Sequence, residues 1–250
     1  MFPIGYEDGR ETVARLVMSF PVAETGVGHL NSERSQPRDD AFRVLMVCTG
    51  NVARSPLAEQ LFSARAAAVF QSDSASILVA SAGVRPLVGH DMTDDSRRVA
   101  RAHGVDPVRH HARPVTSDLI TAADLVLGAN RAHRRFIVET QPRASSKAFT
   151  LVEFAHVLRW MGSGQGIILA ADAHESTSAR LIAVRDAAAR QRGMVPPPSD
   201  PTDFDIADPY GAKPVVYDQV GLRIADSIGT ITEVLQQLAR RTAVTAAPGV

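Results

Sequence analysis

The sequence predicts an α/β fold: a doubly wound open parallel sheet of about four strands with helices on both faces. Three observations predict it. Short, nearly continuous apolar runs, suited to strands buried on both sides, alternate with segments of helical periodicity. The first such run is followed at once by a tight turn and a helix start, the place where doubly wound sheets build ligand sites. Finally, 45% of the 250 residues are apolar, enough to bury a proper core.

The elements follow in order. Residues 1–41 read as an N-terminal extension. Within it, Glu11 to Phe20 has the pattern of a short amphipathic helix, and NSERSQPRDD has no apolar periodicity. From Phe42 the run FRVLMV suits a buried parallel strand, and Ser55 to Phe70 is an apolar-periodic, alanine-rich helix. The alternation continues with strand-like ILVASAG (77–83), a helix near Thr93 to His103, strand-like DLVLGA (124–129), and a helix from Arg131 to Thr140. Strand-like KAFTL (147–151) and a helix through Val157 come next. The rhythm then breaks, and glycine and proline punctuation marks an insertion at about 161–203. It holds a helix that begins near Ser176 to Ser178 and stops before Gly193. Its glycine- and proline-rich ends suit a mobile lid. A last helix runs from Pro214 to about Arg241 on a stripe that includes Val220, Ile224, Ile228, Ile231 and Leu235, and residues 242–250 form a tail.

Composition excludes little but points consistently. The formal net charge is zero, so no overall field draws the chain to nucleic acid or to an anionic membrane. A single cysteine cannot form an intramolecular disulfide or a multi-thiolate metal site, which suits the cytoplasm. The first twenty residues carry acidic groups where a signal peptide would be basic, and no apolar run is long enough for membrane insertion. Arginine far outnumbers lysine, so a single arginine is a weak clue.

The chemistry concentrates in VLMVCTGNVARSP, residues 44–56. Cys48 ends the first strand, and Ser55-Pro56 opens the next helix with proline suited to a first helical position. A loop so placed is an anion site: inward N–H groups form a nest, the helix start adds positive potential, and Arg54 offers a planar fork that matches a tetrahedral oxyanion. Gly50 and Asn51 tolerate the left-handed backbone that such a curl needs. The same donors favour a thiolate at Cys48 and make it a nucleophile. An unpaired cysteine after a strand is more commonly a small core hydrophobe, and only the loop around Cys48 argues otherwise.

The full string CTGNVARSP after a buried strand resembles the phosphate-binding loop of the low-molecular-weight protein-tyrosine phosphatases. Three further stretches agree. SAG at 81–83, followed by LVGHD, is similar to the bacterial branch that opposes tyrosine autokinases in polysaccharide export. HHARPVT (110–116) resembles the family's His-x-Ala-Arg segment, and IADPYG (206–211) its Asp-Pro-Tyr loop before the last helix. The likeness spans about Phe42 to Arg241, apart from the insertion.

The resemblance implies hydrolysis of phosphotyrosine through a phosphocysteine intermediate, with Cys48 as nucleophile, Arg54 as phosphate clamp and Asp208 as general acid and base. It implies a phosphate cradle of Thr49, Gly50, Asn51, Val52, Ala53, Arg54 and Ser55, with the Ser55 hydroxyl bonded to the thiolate. Asn51, Ser55, Ser81 and His110 form the supporting network, and Leu87 and Tyr210 the substrate cleft. Asp200, Asp203 and Asp205 are close in sequence, and Asp208 is preferred because it alone sits in the Asp-Pro-Tyr setting. The implied partners are phosphotyrosine-containing proteins, among them a tyrosine autokinase, with no nucleic acid; no metal or other cofactor is expected. Two departures stand out. Ala53 occupies the position where many members carry a second cysteine, so a protective disulfide to Cys48 is impossible, and Leu87 stands where eukaryotic members often have an aromatic residue. Two other functions share these residue types: arsenate reduction with an external small thiol, and non-catalytic binding of phosphate or a phosphopeptide.

Overall fold

In the computed structural model, which describes residues 41–165 and 176–244, the strands and α-helices alternate as the apolar pattern requires. They are β1 (Phe42–Cys48), α1 (Arg54–Phe70), β2 (Ile77–Gly83), α2 (Asp94–Ala102), α3 (Ser117–Ala122), β3 (Leu125–Gly128), α4 (Arg131–Thr140), β4 (Ala148–Thr150), α5 (Leu151–Trp160), α6 (Thr177–Gln191) and α7 (Pro214–Val244). The expected N-terminal extension, its Glu11–Phe20 helix included, and the last six residues lie outside the described residues. All strand pairs are parallel, in the order β2-β1-β3-β4. The chain therefore winds outward from β1 to β2, then crosses over to β3. The crossover opens a crevice beyond the carboxyl ends of β1 and β3, and Cys48 is the last residue of β1.

Strand alternation assigns the two layers. Val44, Met46, Leu125, Leu127 and Phe149 pack with helices α1, α5 and α7 on one face. Leu45, Val47, Val126 and Ala148 pack with Leu119, Ile120 and Ile137 of α3 and α4 on the other. Helix starts are set by side chains: Thr93, Thr116, Asn130, Thr150 and Ser176 each accept the backbone N–H three residues on. At Thr150 and Glu153 a full capping box forms. The sequence pattern missed α3, since Ser117–Ala122 is too short to show a period.

The insertion helix corrects the lid expectation. Helix α6 buries Leu181, Val184, Ala187 and Ala188 in the main core. Its polar contacts lie at the amino ends of the strands, opposite the end that carries Cys48. Thr177 donates to Asp73 ahead of β2, and Arg185 to the Asp124 carbonyl ahead of β3. Beyond the helix, Arg192 donates to the Ala148 carbonyl and covers the Phe149 ring at 3.7 Å. A lid is held by few buried apolar contacts, whereas this helix is part of the core. Leu181→Ala is therefore expected to cost about 2–5 kcal/mol, read as a lower urea midpoint at unchanged slope.

Candidate active site

Between β1 and α1 the chain closes a loop whose carbonyls are drawn outward one by one. The carbonyls of Cys48, Thr49, Gly50 and Val52 accept the N–H groups of Val84, Arg85, Leu87 and Thr93, and that of Ala53 accepts from Leu57. His110 Nε2, 2.8 Å from the Asn51 carbonyl, donates to the remaining one. Each peptide is planar and trans, so a carbonyl turned out leaves the following N–H turned in. The result is a ring of donors facing one point. Asn51 sits at φ 54°, a left-handed conformation that asparagine tolerates.

Behind this ring a buried chain of hydrogen bonds holds the thiol. Asn51 Nδ2 donates to Ser55 Oγ at 3.0 Å and to Ser81 Oγ at 2.8 Å. Ser55 Oγ lies 2.9 Å from Cys48 Sγ and 3.5 Å from the Ala82 carbonyl, so its proton has the sulfur as its nearer partner. Ser81 in turn donates to Glu59 at 2.6 Å, and Asn51 Oδ1 accepts the Arg113 N–H. Burial raises the Glu59 carboxyl above its ordinary range, against the opposing effects of Ser81 and Arg113. Burial also lowers His110, which matches its use as a neutral donor.

Arg54, 3% exposed, is held at both ends of its fork. Nη1 donates to the Ile206 carbonyl at 3.1 Å, and Nη2 to Thr49 Oγ1 at 3.3 Å and Asp208 Oδ2 at 2.5 Å. Its Nε has no hydrogen-bond partner among the described residues. A buried guanidinium N–H beside a ring of inward amides is the donor set that a tetrahedral oxyanion satisfies.

The loop that carries Asp208 is fixed from behind. Ile206 N donates to the Ala129 carbonyl, and Asp205 accepts from the Arg131 backbone N–H and guanidinium at the start of α4. Asp200 caps the short turn at Pro201–Phe204 through Thr202 N. Asp205 and Asp200 are thus committed elsewhere, and Asp208, with its side chain 48% exposed, faces the cleft. That cleft, about 200 Å³, has Cys48, Thr49, Gly50, Val52, Ala53 and Arg54 at its floor, and Arg85, Leu87, Asp208 and Tyr210 along its walls. Among the described residues no cluster of His, Cys, Asp and Glu could hold a metal, and no helix is long and apolar enough to cross a membrane.

Residues 43–160 match the family model for low molecular weight phosphotyrosine protein phosphatase. A probable low molecular weight protein-tyrosine-phosphatase, EpsP, of Ralstonia nicotianae is 31% identical over 44% of this chain and 70% of its own. The chain belongs to this family. A protein-arginine-phosphatase of Geobacillus stearothermophilus is similarly close, 33% identical over 45% of this chain and 71% of its own. Beyond the stretch that these sequences match, a solved low molecular weight protein tyrosine phosphatase of T. tengcongensis overlays 77% of this chain and 99% of its own, with TM-score 0.54 and 26% identity.

As a member of the low molecular weight phosphatases, the chain brings together the site residues named from the sequence, with Asn51, Ser55 and Ser81 in one buried network that the half-buried His110 joins at the Asn51 carbonyl, and the rest in or around one cleft. Sequence reasoning missed four contributors. Glu59 follows Ser55 by one helical turn and shares its face, a spacing that could have been noticed. Arg113 lies inside the quoted HHARPVT stretch. Arg85 and His133 carried no signal, since an exposed arginine and a histidine in a helix are ordinary. His133 is buried, lies 2.9 Å from Thr49 Oγ1, and is pushed down to about 4 by burial first and then by Arg54.

One glycine is demanded by close approach. A Cβ at Gly83 would lie 2.5 Å from the Thr49 carbonyl oxygen and 3.0 Å from Asn51 Cβ. Gly83→Ala must displace the phosphate loop, and a displacement of about 1 Å typically costs on the order of 10²-fold. The expected result is that loss in kcat/KM for phenyl phosphate together with a lower Tm, since forcing the backbone apart typically costs about 1–3 kcal/mol. An unchanged kcat/KM would show the loop to be more forgiving than its contacts imply.

Proposed function

We propose that this phosphatase hydrolyses phosphotyrosine in proteins through a phosphocysteine intermediate. The observation that carries the reading is the convergence of Cys48, the Arg54 fork and Asp208 on a cleft walled by Leu87 and Tyr210. In the first step the Cys48 thiolate attacks phosphorus, an S–P bond forms, and the bond from phosphorus to the tyrosyl oxygen breaks. Asp208 gives its proton to the departing phenolate. In the second step Asp208 takes a proton from water, the water oxygen bonds to phosphorus, and the S–P bond breaks to release inorganic phosphate and the thiolate. Arg54 and the inward N–H groups hold the equatorial oxygens throughout. The exposed Tyr210 side chain and Leu87 supply apolar walls for a phenyl ring.

A second reading, hydrolysis of phosphoarginine, is favoured by the arginine-phosphatase relative. Arg85 weighs against it: this exposed side chain stands on the cleft wall with no ion pair among the described residues, and a cation there repels a guanidinium leaving group more than a neutral ring. The test compares kcat/KM on two peptides of identical flanks, one with phosphotyrosine and one with phosphoarginine, with an arsenate-plus-thiol arm alongside. Preference for phosphotyrosine and no arsenate reduction are expected. Faster phosphoarginine turnover would replace the tyrosine reading, and thiol-dependent arsenate reduction would favour the reductase. The LVGHD likeness supports a cytoplasmic-facing tyrosine autokinase as the partner.

A further inference from the structure

The side chain of Thr49, as distinct from its backbone, is unassigned by the mechanism above, and its hydrogen bonds can be counted. A threonine hydroxyl has one proton to give and two lone pairs to fill. Arg54 Nη2, 3.3 Å away, can only donate, and so takes one lone pair. His133 Nε2, 2.9 Å away, either donates to the second lone pair or accepts the proton.

The surroundings of His133 decide between the two. Its ring is 4% exposed and its pKa is pushed down to about 4, so it is neutral at neutral pH and carries one N–H. Nδ1 is buried without a hydrogen-bond partner among the described residues. A proton there would be an orphaned donor, which costs about 1–3 kcal/mol and is rarer than an unfilled lone pair. The residue is also in the first turn of α4, where Asn130 accepts its backbone N–H, and the positive potential of a helix start disfavours a further buried proton. The proton therefore belongs on Nε2, and His133 donates to Thr49. With both lone pairs filled and neither neighbour able to accept, the Thr49 O–H must be given to a third group. Thr49 lines the cleft beside Arg54 and Asp208.

We propose that the Thr49 hydroxyl is a hydrogen-bond donor to a phosphoryl oxygen held in the cleft by the Arg54 guanidinium, and that His133 is the positioning residue that aims it. This rests on the reading of the loop as an oxyanion site. The bond strengthens as charge builds on that oxygen, so its contribution is larger in the transition state than in the substrate complex.

Two measurements test it. Long-range proton–nitrogen correlation spectra of protein labelled with 15N-histidine report the tautomer of His133, assigned by comparison with His133→Leu. Nε2–H with a bare Nδ1 is expected; Nδ1–H would overturn the proposal. The second measurement is the inhibition constant of vanadate, with kcat/KM for phenyl phosphate, in wild type, Thr49→Val, Thr49→Ser, His133→Leu and the Val/Leu double variant. Thr49→Val should weaken vanadate about tenfold or more, Thr49→Ser should retain most of the affinity, and the double variant should be no worse than Thr49→Val alone. Unchanged vanadate affinity in Thr49→Val would overturn the proposal, even where the pH profile of kcat moves, because the proton then serves Asp208. Additive losses would overturn the role of His133. Thr49→Val is nearly isosteric and keeps the test decisive should His133→Leu fail to fold. Wild type that binds no vanadate would instead sink the oxyanion-site reading itself.

Discussion

Cys48→Ser is expected to abolish turnover of aryl phosphates while phosphate and vanadate still bind. Cys48 is 2% exposed at the carboxyl end of β1, its sulfur 2.9 Å from Ser55 Oγ, and it lines the cleft with the loop of inward N–H groups. In the proposed mechanism the thiolate is the reacting species, and a serine hydroxyl in the same place has no adjacent general base to remove its proton. The hydrogen bonds that shape the loop run through backbone groups, Asn51 and His110 rather than through sulfur, so the cradle survives the exchange. The measurement pairs initial rates with an equilibrium titration of vanadate. Turnover above a trace would sink the covalent mechanism, whereas loss of both rate and binding would show that the thiol also shapes the cradle. Arg54→Lys should be severe in both respects, because an ammonium cannot reach the Ile206 carbonyl, Thr49 and Asp208 together with a bound oxygen.

Asp208→Asn should lower turnover of phosphotyrosine by about 10²- to 10⁴-fold, the usual range for loss of a general acid. The loss should shrink as the leaving group improves. Tyrosyl and phenyl oxygens leave as phenolates with a pKa of about 10 and need the proton, whereas a nitrophenolate needs it less. Plotted against leaving-group pKa, log kcat of the variant should fall more steeply than that of wild type. Parallel lines would remove Asp208 from the acid role. Asp205 is then a poor substitute, since its carboxylate already accepts from the Arg131 backbone and guanidinium. Asn at 208 also loses the ion pair with Arg54, so the phosphate inhibition constant, measured alongside, separates binding from proton transfer.

By itself the sequence determined what contiguous residues decide. The apolar runs at 42–47 and 77–83 and the helix start near Ser176 are local matters of side-chain period and hydrogen-bonding capacity, and they appear where the pattern predicts. The phosphate loop is equally local: Cys48, the left-handed Asn51, Arg54 and Ser55 occupy one short segment whose residue types admit its curl. Only the tertiary structure decided what meets that segment. His133 reaches Thr49, and Ile206 and Asp208 reach Arg54, because the chain crosses from β2 over β1 to β3, which brings the carboxyl ends of β1 and β3 side by side. Helix α6 shows the same limit. Glycine and proline at the ends of its segment announce a break in the chain, but a helix becomes a lid or a core element according to the surface offered to it. Here the main core offers Leu181 and Val184 an apolar bed, a property of packed layers that no residue in the segment can encode alone.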